Sequence, residues 1–441
     1  MKKRLSMLLA FLVVITSVFV QPFAAQAQDT LDIEADSAIL VDAATGKIIF
    51  AKNADEALPP ASMTKMMTEY LVWEAIEEGQ ISWDTTTQIS DYPYSISANN
   101  SFSGVGLRQN QDYTVESLYD AMAINSDNAT TIALAELIAG SEGEFVKMMN
   151  EKGEEMGLPD YKFVNSTGLD NASLGENYPE GTEPDATNML SAESSALLAY
   201  HLIKDYPEAL EISSIPATEF DGQQIRNWNH MLDHDTTFLK QFYYEGVDGL
   251  KTGHTDSAGY TFTGTAKRGD QRFISVVMKT DSEEERFAET AKLFDYGFDN
   301  FETTELFPAG YQLEDQATIP VAKGKEDAVS VSTGQAVSFP IKKDEADAYS
   351  IKYTIDEDKL NAEGELAAPV KKGDVVGTAE LVYEGENDFG YIMTSSDGPI
   401  DLVADETVEK SNWFMLTLGA IGDFFADLYT TVVDWVKGLF S

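Results

Sequence analysis

Ser62-Met63-Thr64-Lys65, Ser126-Asp127-Asn128 and Lys251-Thr252-Gly253, the last followed by His254, occur in that order along the chain. A serine hydroxyl attacks a carbonyl only when a neighbouring group takes its proton. Ser62 and Lys65 are three residues apart, a spacing that puts both side chains on one face of a helix, so the lysine can be that group. The set points to serine acyl transfer with lysine, not histidine, as base. Lysine has an ordinary pKa of about 10.4, too high for a base at neutral pH. Burial and a second cation must lower it, and Lys251 is the evident second cation. The histidines, His201, His230, His234 and His254, form no H-E-x-x-H pattern, and no cysteine is present. That argues against a zinc hydrolase, thiolate catalysis and a disulfide framework, and no cofactor is expected.

The elements that must position these residues are also legible. Pro59-Pro60 interrupts the chain, and Ser62 to Glu78 reads as a helix with Met66, Met67, Tyr70, Leu71 and Trp73 on its apolar side. Ser62 then sits at a helix N-terminus, where free amides favour developing negative charge. Val115 to Ile124 and Ala129 to Ala139 read as helices, and Asn125-Ser126-Asp127-Asn128 is the loop between them. Phe145 to Met156, Ala192 to Ile203 and Glu283 to Tyr296 are further helices. Ala38 to Asp42 and Lys47 to Ala51 form a hairpin, and Val247 to Thr252, Tyr260 to Ala266 and Arg272 to Met278 are successive strands, with turns at Gly253 to Gly259 and Arg268-Gly269-Asp270. Early strands, a helical middle and a late strand run predict an α+β layer fold in which N- and C-terminal segments share one sheet.

The 441 residues predict about two or three domains. Met1-Lys2-Lys3-Arg4, the apolar run Leu5 to Val20 and Ala25-Gln26-Ala27 have the order of a secretory leader, so residues 1–27 are expected to be removed. The net charge is −45, and −48 without Lys2, Lys3 and Arg4, which argues against a nucleic-acid partner. From 303 to 405 the texture turns β-rich, with Ala328 to Pro340, Tyr349 to Ile355 and Thr378 to Val382 as strand material; a small all-β domain is expected, acting as a spacer or partner-binding module. Residues 406–441 read as a C-terminal amphipathic helix, Asp423, Asp427, Asp434 and Lys437 recurring at helical spacing against residues such as Trp413, Phe424, Phe425, Trp435 and Phe440. It is expected to lie in the outer face of the cell membrane, held by apolar burial because its acidic face repels anionic lipid.

Taken together, Leu58 to Thr68, Val247 to Tyr260 and the segment Phe163-Val164-Asn165-Ser166-Thr167-Gly168-Leu169 resemble the penicillin-recognising serine enzymes, specifically the low-molecular-mass D-alanyl-D-alanine carboxypeptidases. The resemblance implies a β-lactamase/transpeptidase-like catalytic domain over 28–302, an antiparallel sheet with helices on both faces. It implies an extracytoplasmic enzyme that removes the terminal D-alanine from peptidoglycan stem pentapeptides through an acyl-enzyme on Ser62 and is trapped covalently by β-lactams. Lys65 would be the base and Ser126 the proton relay. Asn128, Lys251, Thr252, Gly253, His254 and Arg286 would hold substrate: Asn128 its amide, Thr252 and Arg286 its terminal carboxylate, with the Ser62 and His254 amides as the oxyanion hole. For Arg286 an ordinary surface ion pair is the competing expectation. Two other readings stand beside this one. A class A β-lactamase shares all three motifs, including the aspartate in Ser-Asp-Asn where many carboxypeptidases have glycine or alanine. Its deacylating glutamate would have to be Glu183, in a segment whose Asn188 is one residue too far along. A non-catalytic β-lactam sensor is the other, and it would keep the site without the turnover.

Overall fold

The computed structural model describes residues 31–385, 388–393 and 400–411. The expected leader and the terminal helix from residue 412 onward lie outside the described residues. The chain divides into Met1–Ile33 and Glu34–Ser441, and the second unit carries everything that follows.

Its centre is a five-stranded antiparallel sheet built from both ends of the catalytic region. β1 (Ser37–Asp42) and β2 (Ile48–Lys52) form the hairpin, and β3 (Val247–Thr255), β4 (Gly259–Arg268) and β5 (Gln271–Thr280) form the late run, in the order β2-β1-β5-β4-β3. The register aligns Ile39 with Val276, Val276 with Thr263, and Thr263 with Lys251. One row of side chains therefore runs from the hairpin to the K-T-G strand, and β3 is left as an edge.

Alternation decides the two faces. Ile39, Val41, Ile274, Val276 and Met278 join the core formed with the helical layer. That layer contains α1 (Lys65–Glu77), α2 (Val115–Asn125), α3 (Asn128–Ala139), α4 (Glu142–Glu155) and α5 (Ala192–Asp205). The opposite face is covered by α6 (Glu283–Asn300), with Phe262 edge-on to Phe287 at 5.6 Å. Gly297 lies so close to this face that a Cβ there would be 3.0 Å from the Phe273 ring and 3.1 Å from Leu40. The α+β fold is as expected from the order of elements, and the helices on both faces are as the resemblance implies.

The helix beginning at Ser62 needs correction. Ala61–Thr64 is a 3-10 turn, and the α-helix starts only at Lys65. Ala61 takes a positive φ of 48° directly after Pro60, a strained entry that no residue type here advertises. The turn expected from Gly253 is also shorter, because β3 continues to Thr255.

Directly after α6, β6 (Phe301–Phe307) leads into the C-terminal β region and pairs with Val337–Lys342. The stretch expected as strand from Ala328 to Pro340 is two strands, Ala328–Thr333 and Val337–Lys342. A six-stranded sheet here closes over its own core of Val329, Val331, Ile351, Tyr353, Val376 and Leu402. The region also reaches back to the catalytic sheet: Ile48 N donates to Gly390 O at 3.0 Å and Ile392 N to Gly46 O at 3.0 Å. Lys47 sits between them, buried, paired with Asp388 and 5.0 Å from the centre of the Tyr391 ring.

Candidate active site

The three motifs meet in one open cleft of ≈ 250 Å³, lined by Ser62, Ser126, Asn128, Thr252, Gly253, His254 and Arg286 among others. Lys65 is not on its wall; it lies underneath, with no exposed surface. Its Nζ is 3.0 Å from Ser62 Oγ, 2.9 Å from Asn128 Oδ1 and 2.7 Å from the Thr167 backbone oxygen. Two of these neighbours can only accept. A neutral amine has two N–H groups for Asn128 and Thr167, which leaves its lone pair toward the Ser62 hydroxyl. Burial holds the Lys65 ammonium well below the ordinary lysine range, and Lys251 pushes the same way, against the pull of Asp127, Glu69 and Glu142. The arrangement favours the free amine at Lys65 over the ammonium and places it to accept a proton from the serine.

The second motif is a joint between helices. Ser126 ends α2 in the left-handed conformation, φ 61°, and Asp127 is the N-cap of α3. Ser126 and Asn128 face the cleft, whereas Asp127 is fully buried and absent from its walls. Its Oδ1 accepts from Thr130 N at 2.6 Å and its Oδ2 from Val105 N at 2.6 Å. The aspartate thus has a local reason: it caps a helix and ties down the 99–107 loop, whose Ser103 O accepts from Asn128 Nδ2 at 3.1 Å.

In the third motif Lys251, Thr252 and Gly253 are buried and His254 is exposed. Burial lowers the Lys251 pKa, with Glu69 opposing and Arg286 adding to the fall. A Cβ at Gly253 would stand 2.4 Å from Thr261 Oγ1 and 2.5 Å from Pro60 O, so glycine is what lets this strand press against the nucleophile turn. His254 stacks on Tyr260, ring centres 4.1 Å apart. Arg286 is only 3 % exposed, so it is not an ordinary surface arginine, although it does form an ion pair with Glu283 on its own helix. Its guanidinium donates to Gly253 O at 3.1 Å and to Glu283 at 2.9 Å, and its buried Nε has no partner.

Sequence reasoning singled out the segment 163–169 without giving its residues work. Asn165 is its hub: its Oδ1 accepts from Thr167 N, Gly168 N and Asn188 Nδ2 at 3.1, 2.8 and 3.0 Å, and its Nδ2 donates to Leu169 O at 2.6 Å. This fixes the Thr167 carbonyl under Lys65. Asn188 is thereby committed to the loop, and Glu183 is exposed and lines a different hollow, so neither occupies the deacylating position a class A β-lactamase needs. Glu69 was missed as well, since it lay within a run read only for its apolar side.

Comparison with known proteins agrees with this site. The D-alanyl-D-alanine carboxypeptidase family of S11 peptidases matches residues 22–282. The chain belongs to that family. The C-terminal domain family of penicillin-binding protein 5 matches residues 301–410. D-alanyl-D-alanine carboxypeptidase DacF of Bacillus subtilis is 32% identical over 429 residues, 96% of this chain and 99% of the relative. Among solved structures, a peptidoglycan synthesis regulatory factor, penicillin-binding protein 3 of Streptococcus pneumoniae, superposes with a TM-score of 0.70 at 37% identity, covering 85% of this chain and 99% of that one. Penicillin-binding protein D2 of Listeria monocytogenes, solved with ampicillin bound, gives 0.51 at 31% identity over 60% of this chain and 98% of that one. The serine D-alanyl-D-alanine carboxypeptidase expected from the motifs is the activity of the family.

Proposed function

We propose that this D-alanyl-D-alanine carboxypeptidase trims peptidoglycan stem pentapeptides by lysine-assisted serine acylation. The single observation that carries the reading is the fully buried Lys65 amine 3.0 Å from Ser62 Oγ. Lys65 takes the hydroxyl proton as Ser62 Oγ bonds to the carbonyl carbon between the two terminal D-alanines. The amides of Ser62 and His254 hold the resulting oxyanion. The C–N bond then breaks, and the proton reaches the leaving nitrogen through Ser126, so that free D-alanine departs and an ester remains on Ser62. Water hydrolyses that ester to the shortened peptide and regenerates the serine.

Substrate adds to the free edge of β3 as an extended strand. Asn128 binds its amide, while Lys251, Thr252 and Arg286 draw its terminal carboxylate, and Gly253 keeps the strand close to the nucleophile. A β-lactam follows the same acylation, but its amine stays tethered and blocks the water step. The ampicillin-bound relative supports that inhibition.

The reading extends to place. Residues 1–27 act as a secretory leader, 28–302 as the catalytic domain and 303–405 as the small β domain. The expected helix over 406–441 is corrected at its start, because 406–411 are not helical and join the β domain through Val408 on Val370 and Lys410 on Gly324. The tail beyond them acts as a helix lying on the outer face of the cell membrane. Among the described residues no helix is long and apolar enough to cross a membrane.

Mass spectrometry after brief exposure to penicillin tests the chemistry. The adduct is expected on the peptide containing Ser62, and D-alanine release from a pentapeptide is expected to vanish in Ser62→Ala. An adduct elsewhere, or rapid penicillin hydrolysis by the purified protein, overturns the assignment.

A further inference from the structure

The steps above leave one buried acid beneath the cleft without work. Glu69 is one helical turn beyond Lys65 on α1, and it is 2 % exposed. Residues four apart on a helix are neighbours on one face, so its carboxylate shares the side of α1 that carries the base. Its Oε2 accepts one long hydrogen bond, 3.3 Å from Tyr119 Oη. The Tyr119 oxygen in turn accepts from Trp73 Nε1 at 2.8 Å, which orients the phenol proton toward the acid. Across the interface, Lys251 is also buried, and its Nζ makes one long contact, 3.4 Å to Thr252 O. A buried carboxylate and a buried ammonium, each with a single weak neutral hydrogen-bond partner, are stabilised when each compensates the other's charge.

We propose that Glu69 is a positioning residue for protons, the buried counter-anion that keeps Lys251 charged while Lys65 is left as the free amine. This rests on the reading of Ser62 and Lys65 given above. Two lysines under one cleft must do opposite things in that chemistry: Lys65 must be empty of a proton to accept one, and Lys251 must hold its proton to attract a carboxylate. Without an anion, repulsion and burial strip both. The charged and polar groups that act on Glu69 are Lys65 on its own helix, Lys251 on β3 and Tyr119 on α2, of which Tyr119 is hydrogen-bonded to it. One step further out, Asp127 and Glu142 favour the charged form of Lys65, and Arg286 disfavours that of Lys251. Burial drives the Glu69 carboxyl up to about 7, against the pull of Lys251, the Tyr119 hydrogen bond and Lys65. The segment's apolar side hid this residue, yet its place one turn after the base puts it on the base's side of α1.

The test is the pH profile of Ser62 acylation by a fluorescent penicillin in the full chain, wild type against Glu69→Gln. Removing the anion lowers the pKa of both lysines, so the rising limb set by Lys65 and the falling limb set by Lys251 both move to lower pH, on the order of one unit. Glu69→Asp restores most of the wild-type position. A Glu69→Gln profile reduced in height but unmoved on the pH axis overturns the proposal, because packing damage alone shifts neither limb. If Glu69→Gln does not fold, Tyr119→Phe decides the matter. It weakens the same anion and must give a smaller shift in the same direction; an unmoved profile there is equally fatal. Absence of Ser62 acylation in the wild type would instead strike the proposed function itself.

Discussion

Gly168→Ala is the sharpest test of how the nucleophile is held. Gly168 has a φ of +87°, and a Cβ built on it would fall 1.8 Å from Ala61 O, 2.3 Å from Ala61 C and 3.0 Å from Ser62 N. Two costs add. The left-handed backbone costs an alanine about 1–2 kcal/mol, and overpacking against backbone costs about 1–3 kcal/mol. Stability should therefore fall by roughly 2–5 kcal/mol, with Tm lowered by about 2–4 °C per kcal/mol for a domain of this size. The functional loss comes from displacement. To reach even 3.0 Å the Ala61 oxygen must retreat by about 1.2 Å from the new methyl, and Ser62 is the next residue. Lys65 does not follow, because Asn128 on α3 holds its amine from outside the displaced segment. A misplacement of about 1 Å costs on the order of 10²-fold in rate, so acylation by a fluorescent penicillin in stopped flow should slow by about that factor. Gly157→Ala is the control: it shares a positive φ of 73° but has nothing within 4 Å of the added carbon. It should lose stability modestly and acylate normally. If Gly168→Ala acylates at the wild-type rate, the 163–169 segment does not set the serine's position and the reasoning fails.

Asp127→Ala removes the acceptor for Thr130 N and Val105 N; thermal denaturation should register a loss of about 2–4 kcal/mol, and an unchanged Tm would show that the cap is idle. Arg286→Ala should lower kcat/KM for a D-Ala-D-Ala peptide about 10- to 100-fold through a lost charged hydrogen bond, read in a D-alanine release assay, and an unaltered value would remove it from the substrate site. Stability should respond to pH through the buried lysine. Lys65 has a folded pKa below its unfolded one, so between those two values the unfolded chain binds the extra proton and stability rises with pH. Wild-type Tm should accordingly climb more steeply, or fall less, from pH 7 to 10 than that of Lys65→Met, and parallel curves would mean that Lys65 is charged in the folded state.

What the chain disclosed by inspection follows from which atoms do the work. Ser62, Lys65, Asn128 and Lys251 offer side chains in recognisable short motifs, and the sharing of one sheet by the two ends of the region could be read because apolar runs at both ends needed partners. Thr167 acts through its carbonyl, which every residue has, so its place under the base carried no signal of its own. The 3-10 turn at Ala61–Thr64 was hidden for a related reason: an alanine with positive φ is imposed by the tight approach of Gly168 and Gly253, not by its own preference. Asp127 misled in the other direction. Its presence in Ser-Asp-Asn suggested lactamase chemistry, yet both its oxygens are spent on backbone amides.

The pairing of Gly46, Lys47 and Ile48 with Gly390, Tyr391 and Ile392 has a further bearing on selectivity. A sheet has two rims, and unpaired rims invite any extended chain that drifts past. Here the molecule covers the start of one rim, at Gly46 to Ile48, with a piece of its own C-terminal region, and the lysine clasp of Asp388 and Tyr391 keeps that cover seated. The rim of β3 beside Ser62 is unpaired, so under the function proposed above a peptide that docks there by backbone pairing meets the reactive hydroxyl, while the start of the far rim is already taken.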